Sequence, residues 1–132
     1  MKNLSEHQIK FTHDICLLVM ELKHRNIEVV FEEFKRTPEQ QELYFKQGLS
    51  KTLLSAHINK LAGDLSLFKD GKYTQEKEIY KIASEIWLEL DEHNISGFTW
   101  GWDYNHFERM LQPRPVSNLQ NIVNPEQHKP KQ

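Results

Sequence analysis

Four of the five prolines in this 132-residue chain, Pro113, Pro115, Pro125 and Pro130, fall within its last twenty residues. Proline lacks a backbone N–H and fixes φ at about −65°, so such a segment suits neither a helix interior nor a central strand. Mostly Asn, Gln and Lys stand between these prolines, too little apolar surface to offset the entropy of ordering. The sequence therefore divides into a folding region, residues 1–111, and an extended or disordered tail, residues 112–132. A region of that length is one domain and buries roughly two-thirds of its unfolded surface.

Within that region, helix starts alternate with short strand-like runs. Ser5-Glu6-His7-Gln8 reads as a capping box. Behind it Ile9, Thr12, Cys16, Val19, Met20 and Lys23 recur at three- and four-residue steps, so an amphipathic helix is expected over residues 6–25, stopping at Asn26. Residues 27–31 have the β-branched and aromatic density of a strand. Thr37-Pro38-Glu39-Gln40 starts a second helix, with Thr37 as cap and Pro38 in the first position, running to Gln47 and ending at Gly48. Residues 49–56 read as a loop, residues 61–68 as a strand, and Asp70-Gly71 as a tight turn. Thr74 is placed to cap a third helix with Ile79, Ile82, Ala83, Ile86 and Leu90 on its buried stripe. Trp87 is expected in the core. No internal repeat is visible. The expected class is α+β, with a small, mostly antiparallel sheet packed against about three helices.

Composition narrows function. Seventeen basic against nineteen acidic residues give a net charge of −2, unlike the basic stripe of a dedicated nucleic-acid binder. The single Cys16 excludes an internal disulfide framework. There is no run of the ~20 apolar residues needed to span a bilayer, and the N-terminus does not resemble a signal peptide. These features lead us to expect a protein made in the cytoplasm, monomeric and without stable membrane insertion.

Seven histidines remain. Two stand in segments rich in carboxylates and apolar residues: Ser55 to Leu65, with His57 and Asp64, and Gly97 to Glu108, with Asp103 and His106. Two His and one carboxylate form a common three-ligand set for catalytic zinc, and a further carboxylate can act as general base. Strand parity restricts the geometry. His57 and Asp64 are seven apart and would face opposite sides of one strand, so His57 must lie on a preceding loop or a bulge must intervene. Asp103 and His106 also differ in parity, which places Asp103 on a loop leading into a strand at His106. The plain alternative is a surface His57, a turn-capping Asp64 and core tryptophans.

The order of three blocks resembles a known family. Ser55-Ala56-His57-Ile58-Asn59-Lys60-Leu61-Ala62-Gly63-Asp64 resembles the Ser-x-His-x-x-Gly-x-Ala-x-Asp signature of VanY-like, LAS-type zinc peptidases. Trp102 to Glu108 resembles their second signature, with an acidic residue three positions before the last ligand. Glu33 to Gln41 resembles their arginine-bearing strand-to-helix turn. The resemblance spans about residues 5–108 and is nearest to the L-alanyl-D-glutamate endopeptidases of phage endolysins. It implies Zn²⁺ held by His57, Asp64 and His106, with Asp103 as catalytic base and Arg36 stabilising the oxyanion or holding a substrate carboxylate. It also implies that Ser55 binds substrate and that the substrate is peptidoglycan; Trp100 and Trp102 are candidate aromatic contacts, because an open peptide groove commonly uses aromatics near its metal. An endolysin of this kind reaches the wall after a holin-type protein permeabilises the membrane. A D-alanyl-D-alanine carboxypeptidase or dipeptidase, or a non-catalytic zinc-dependent binding module, is the rival reading. One departure stands out: the signature's glycine is Lys60 here, so Asn59 or a shifted bulge is expected to take over any special backbone angle.

Other candidates rank lower. His13 and Cys16 share a helical face, which reads as a buried thiol beside an incidental histidine. His24 and His93, near helix C-termini, suit the helix dipole. Glu108 or a nearby carbonyl could orient a ligand imidazole.

Overall fold

The computed structural model describes residues 3–49 and 55–115. Helix α1 (Leu4–His24) is followed by strand β1 (Ile27–Phe31) and helix α2 (Pro38–Lys46). Strands β2 (Ala62–Lys69) and β3 (Lys72–Thr74) form a hairpin, and helix α3 (Lys77–Leu90), strand β4 (Asn94–Ser96), the short helix α4 (Gly97–Trp100) and strand β5 (His106–Arg109) complete the order. The class is α+β as expected, with the four-residue α4 as an added helix. Among the described residues no helix is long and apolar enough to cross a membrane.

The sheet runs β1-β2-β5-β4, every pair antiparallel, and β3 also pairs with β2. Residues 67–69 of β2 pair with both β1 and β3, so those two strands lie on opposite edges of β2. Asp64 bonds the chain just after β1 through its carbonyl and N–H while pairing with His106 of β5. Strands β3 and β5 therefore lie end to end along one edge of β2. The β2–β3 turn has Asp70 at φ 53° and Gly71 at φ 77°, the two positive angles of a type I′ hairpin turn.

Helix α1 turns a different face inward from the one the spacing predicts. Phe11, Ile15, Leu18 and Leu22 are buried, whereas Ile9, Met20 and Cys16 are exposed. The buried set places four large apolar side chains at steps of four, three and four, more hydrocarbon than a stripe interrupted by Thr12 and Lys23. The Cys16 thiol is accordingly a surface group. The cap is Asn3, whose side chain accepts from the Glu6 N–H, rather than Ser5. At the other end Asn26 adopts φ 61° and turns the chain into β1.

Helix α2 starts as read, with the Thr37–Gln40 capping box complete and Pro38 in the first turn. Most of the loop expected over residues 49–56 lies outside the described residues. The expected cap Thr74 lies two residues early: Glu76 occupies the N-cap position of α3 without a side-chain capping bond, and Thr74 Oγ1 accepts from the Glu76 N–H at 3.0 Å. Ala83 and Ile86 of the expected α3 stripe are buried, joined by Tyr80, Trp87 and Leu88, while Ile79, Ile82 and Leu90 are half-buried at its margin. Fully buried Trp87 donates Nε1–H to the carbonyls of Ile95 (2.9 Å) and Glu108 (3.1 Å), tying α3 to β4 and β5. Just past residue 111, Arg114 donates to the carbonyls of Leu88, Asp91 and Asn94. The expected tail thus begins on a fixed anchor at the end of α3; residues 116–132 lie outside the described residues.

Candidate metal centre

The sheet register brings the carboxylate and one imidazole together. Asp64 and His106 are directly paired residues of β2 and β5, so their side chains rise from the same face. His106 Nδ1 lies 3.3 Å from Asp64 Oδ1. His57 arrives from outside the sheet, on the turn before β2, which satisfies the parity constraint. Its Nε2 is 3.4 Å from the same Asp64 oxygen, and the two imidazole centroids are 5.1 Å apart. One donor atom from each of the three residues lies within 4.8 Å of the others.

The turn carrying His57 is a single helical turn with a Schellman ending. The Leu61 N–H bonds the Ala56 carbonyl at 3.0 Å, and the Lys60 N–H bonds the His57 carbonyl at 3.2 Å. That pattern needs a left-handed residue at the position after the cap, normally glycine. Lys60 itself supplies it, with φ 58°. The expectation that Asn59 or a shifted bulge would take over is therefore corrected: the left-handed residue has not moved, and a lysine occupies it under strain.

Charge and burial fit a divalent cation. His57 is 2% exposed and its Nδ1 has no hydrogen-bond partner among the described residues. Burial tends to raise the Asp64 carboxyl, but hydrogen bonds and charge from His106 and His57 overcome it and hold the pKa at about 2. Burial tends to lower His106, yet Asp64 and Glu108 push it up to about 9. A carboxylate that stays ionised beside two imidazoles is a set of N and O donors suited to zinc. Glu108, two residues along β5, accepts from or faces His106 Nε2 at 2.8 Å. It holds the ring so that Nδ1, not Nε2, faces Asp64 and His57.

Asp103 lies on the loop before β5, where its carbonyl accepts from the His106 N–H at 3.1 Å and its own φ is 54°. The residue is open to solvent at the rim, but partial desolvation raises its carboxyl pKa; the His106 charge opposes this, Asp64 adds to it, and His57 and Arg36 oppose it. This loop rests on Gly97, where a Cβ would fall 1.7 Å from the Asp103 carbonyl oxygen and 2.6 Å from that of Trp102.

Arg36 is bound into the site from the side of α2. It pairs with Glu33, donates NH1 to Gln41 at 2.6 Å and to Ser55 Oγ at 3.5 Å, and lies over the Tyr44 ring. Its backbone N–H bonds the His57 carbonyl at 3.2 Å. A guanidinium so occupied acts as a fixed positive field rather than a mobile clamp. Ser55 Oγ also accepts from the His57 N–H at 3.2 Å, so it orients the ligand turn. The Trp100 ring lies 5.6 Å from His106 and 6.4 Å from Trp102, walling the imidazole. Glu33, buried Gln41 and Tyr44 were not singled out by sequence; Glu33 and Gln41 lie in the arginine-bearing block, where a half-buried cation demands acceptors, and Tyr44 lies three residues beyond it.

This α+β fold gathers His57, Asp64 and His106 on one sheet face beside an acidic rim residue, a group able to hold a metal ion. Among solved structures the chain is similar to the L-Ala D-Glu endopeptidase ChiX of Serratia marcescens, with a TM-score of 0.57 and 24% identity over 71% of this chain and 77% of that one. No family model and no curated protein sequence matches.

Proposed function

We propose that this protein is a zinc-dependent endopeptidase that hydrolyses the L-Ala–D-Glu bond in the stem peptide of bacterial peptidoglycan, acting as a phage-type endolysin. The observation that carries the reading is the register pairing of Asp64 with His106, with His57 delivered beside them and Asp103 at the rim. Likeness to an L-Ala D-Glu endopeptidase supports the choice of bond. His57, Asp64 and His106 would hold the zinc, which when bound supplies Lewis-acid polarisation of the carbonyl and an activated water. Asp103, its pKa raised toward the working range of a base, takes the proton of the attacking water and returns it to the departing amine. The C–N bond breaks, the water oxygen stays on the new carboxyl group, the proton carried by Asp103 goes to the amine nitrogen, and the carboxyl group's own proton is released to give the carboxylate. Arg36 contributes fixed positive charge where the carbonyl oxygen gains negative charge. Glu108 keeps the His106 ring from rotating. In this role the protein accumulates in the host cytoplasm and reaches the wall once a holin-type partner opens the membrane.

Metal analysis with chelation and zinc restoration, followed by mass spectrometry of digested muropeptides, tests the proposal. New D-Glu amino termini that vanish with chelator and return with zinc are expected. Release of terminal D-Ala with the L-Ala–D-Glu bond intact would overturn it in favour of the carboxypeptidase reading.

A further inference from the structure

Beyond His106, the next residue of β5 on the same sheet face is Glu108, while Phe107 and Arg109 between and after them are buried. A cleft of about 490 Å³ opens there, between the turn that carries His57 and the chain leaving β5. Two of its lining residues belong to the candidate metal centre. Ser55 Oγ accepts from the His57 N–H at 3.2 Å, and the Glu108 carboxylate lies 2.8 Å from His106 Nε2. The cleft thus touches the partners of two of the three candidate ligands. Its walls are held in place by long-range bonds. The Asn59 carbonyl accepts from Gln8 of α1, the Leu61 carbonyl from the Arg109 N–H, and the His93 carbonyl from the Met110 N–H, each at 2.8 Å.

Ala56, Ile58, Leu61, Met110 and Leu111 make the lining mainly apolar. Among the described lining residues only Arg109 and Glu108 carry charge. Arg109 is 1% exposed and gives its guanidinium to His7 and Asp91, so its cation is withheld from the cleft. The Glu108 side chain is 23% exposed, with one oxygen facing His106. A carboxylate accepts on both oxygens, so Glu108 keeps acceptor capacity for a ligand. An apolar trough that ends at one reachable carboxylate suits an aliphatic chain with an ammonium at its tip, the methylenes lying on the wall and the head on the carboxylate. An anionic side chain meets no free cation there. The volume accommodates such a side chain together with part of its backbone.

We infer that the cleft between the His57 turn and residues 108–112 is a subsite for the diamino-acid side chain of the stem peptide, with Glu108 receiving its terminal amine. The inference rests on the proposed endopeptidase reading and deepens it. The diamino acid follows D-Glu in the stem, so its side chain stands one residue beyond an L-Ala–D-Glu bond held at the metal.

The test compares initial rates, by HPLC and mass spectrometry, on stem tetrapeptides that differ only in the third residue: L-lysine, meso-diaminopimelate, norleucine or alanine. For the zinc-loaded protein, kcat/KM should be about tenfold higher with a diamino residue than with norleucine, which keeps the methylenes and lacks the amine. Norleucine should in turn exceed alanine by about tenfold through its buried methylenes. Either diamino substrate showing the gain supports the subsite, and the faster of the two identifies the source of the amine. In Glu108→Gln, and in Leu111→Lys at an exposed wall position, the ratio of diamino to norleucine substrate should fall toward one. The ratio separates this role from the support Glu108 gives His106, whose loss would slow every substrate alike; circular dichroism checks that each variant is folded. Equal rates on the diamino and norleucine substrates would overturn the subsite and leave the endopeptidase reading standing. A ratio that survives in both variants would place the amine elsewhere and overturn the inference. Failure to cut the L-Ala–D-Glu bond in any of the four peptides would sink the endopeptidase reading and the subsite with it.

Discussion

Lys60 offers a sharp test of how the ligand turn is built. Its φ of 58° lies in the left-handed region, where the β-carbon of an L-residue crowds the following carbonyl at a cost of about 1–2 kcal/mol. The Lys60 side chain is exposed and has no role in the hydrogen bonds that close the turn, which run through backbone N–H groups. Replacing it by glycine removes the crowding but adds conformational freedom to the unfolded chain, which takes back about 0.5–1 kcal/mol. Lys60→Gly should therefore stabilise the protein by roughly 0.5–1 kcal/mol, or about 2–5 °C in Tm for a domain of this size. Thermal unfolding should be followed by circular dichroism with excess chelator, so that metal binding does not contribute to the transition. Lys60→Ala retains the β-carbon and should melt with the parent protein, which separates backbone strain from loss of the lysine side chain. A Lys60→Gly protein melting at or below the parent temperature would refute the account of a strained lysine in a glycine position.

Four further outcomes are expected. Asp103→Asn should cut turnover by about 10²–10⁴-fold while zinc content by atomic absorption is unchanged; loss of zinc would assign Asp103 to metal binding instead. Glu108→Ala frees the His106 ring and should weaken zinc affinity about 10–100-fold in a chelator competition; unchanged affinity would remove Glu108 from the site. Gly97→Ala forces a Cβ against two fixed carbonyls, and the Tm should fall by the equivalent of at least about 1–3 kcal/mol; a neutral effect would mean that the Asp103 loop can move away at no cost. The Asp91 carboxyl is raised by burial but driven well below the usual carboxylate range by hydrogen bonds from His93 and the charge of Arg109. A depressed pKa contributes stability above the ordinary carboxylate value and loses it as pH falls below that value. Asp91→Asn should therefore lose stability at neutral pH, by about 3 kcal/mol for an unpaired buried Arg109, and show a shallower acid decline than the parent; parallel acid curves would contradict this pairing.

Local signals were legible where the physics was local. The Thr37 capping box, the Asp70-Gly71 turn and the β-branched run at residues 27–31 each need only neighbours in sequence, and each forms as read. The face of α1 was not legible in the same way. Two apolar stripes share that helix, and periodicity alone cannot rank Ile9, Cys16 and Met20 against Phe11, Ile15, Leu18 and Leu22 until a sheet and α3 present a surface to cover. The choice also buries His7 and Asp14, which a count of apolar residues weighs against. His7 is tolerated because Arg109 donates to its Nδ1 at 3.0 Å, and Asp14 because Lys10 and Asn94 reach it.

The same partners explain why the candidate ligands could be named before their supports. His57, Asp64, Asp103 and His106 sit in two short blocks whose residue order resembles a family, so their identity survives without knowledge of contacts. The His7–Arg109–Asp91 chain joins residues up to 102 positions apart and has no spacing to betray it. Yet it determines whether the named residues can act together. Strand β5 turns His106 and Glu108 to the open face and Phe107 and Arg109 to the interior, so one strand carries both the ligand and the anchor. Arg109 ties that strand to α1 through His7 and to the end of α3 through Asp91. The register that pairs His106 with Asp64 is thus held from behind by charge and from beside by the Trp87 indole. Slipping β5 by one residue would expose Phe107, bury Glu108 and separate His106 from Asp64 at once, so the interactions that fix the core and those that assemble the candidate metal centre select the same register.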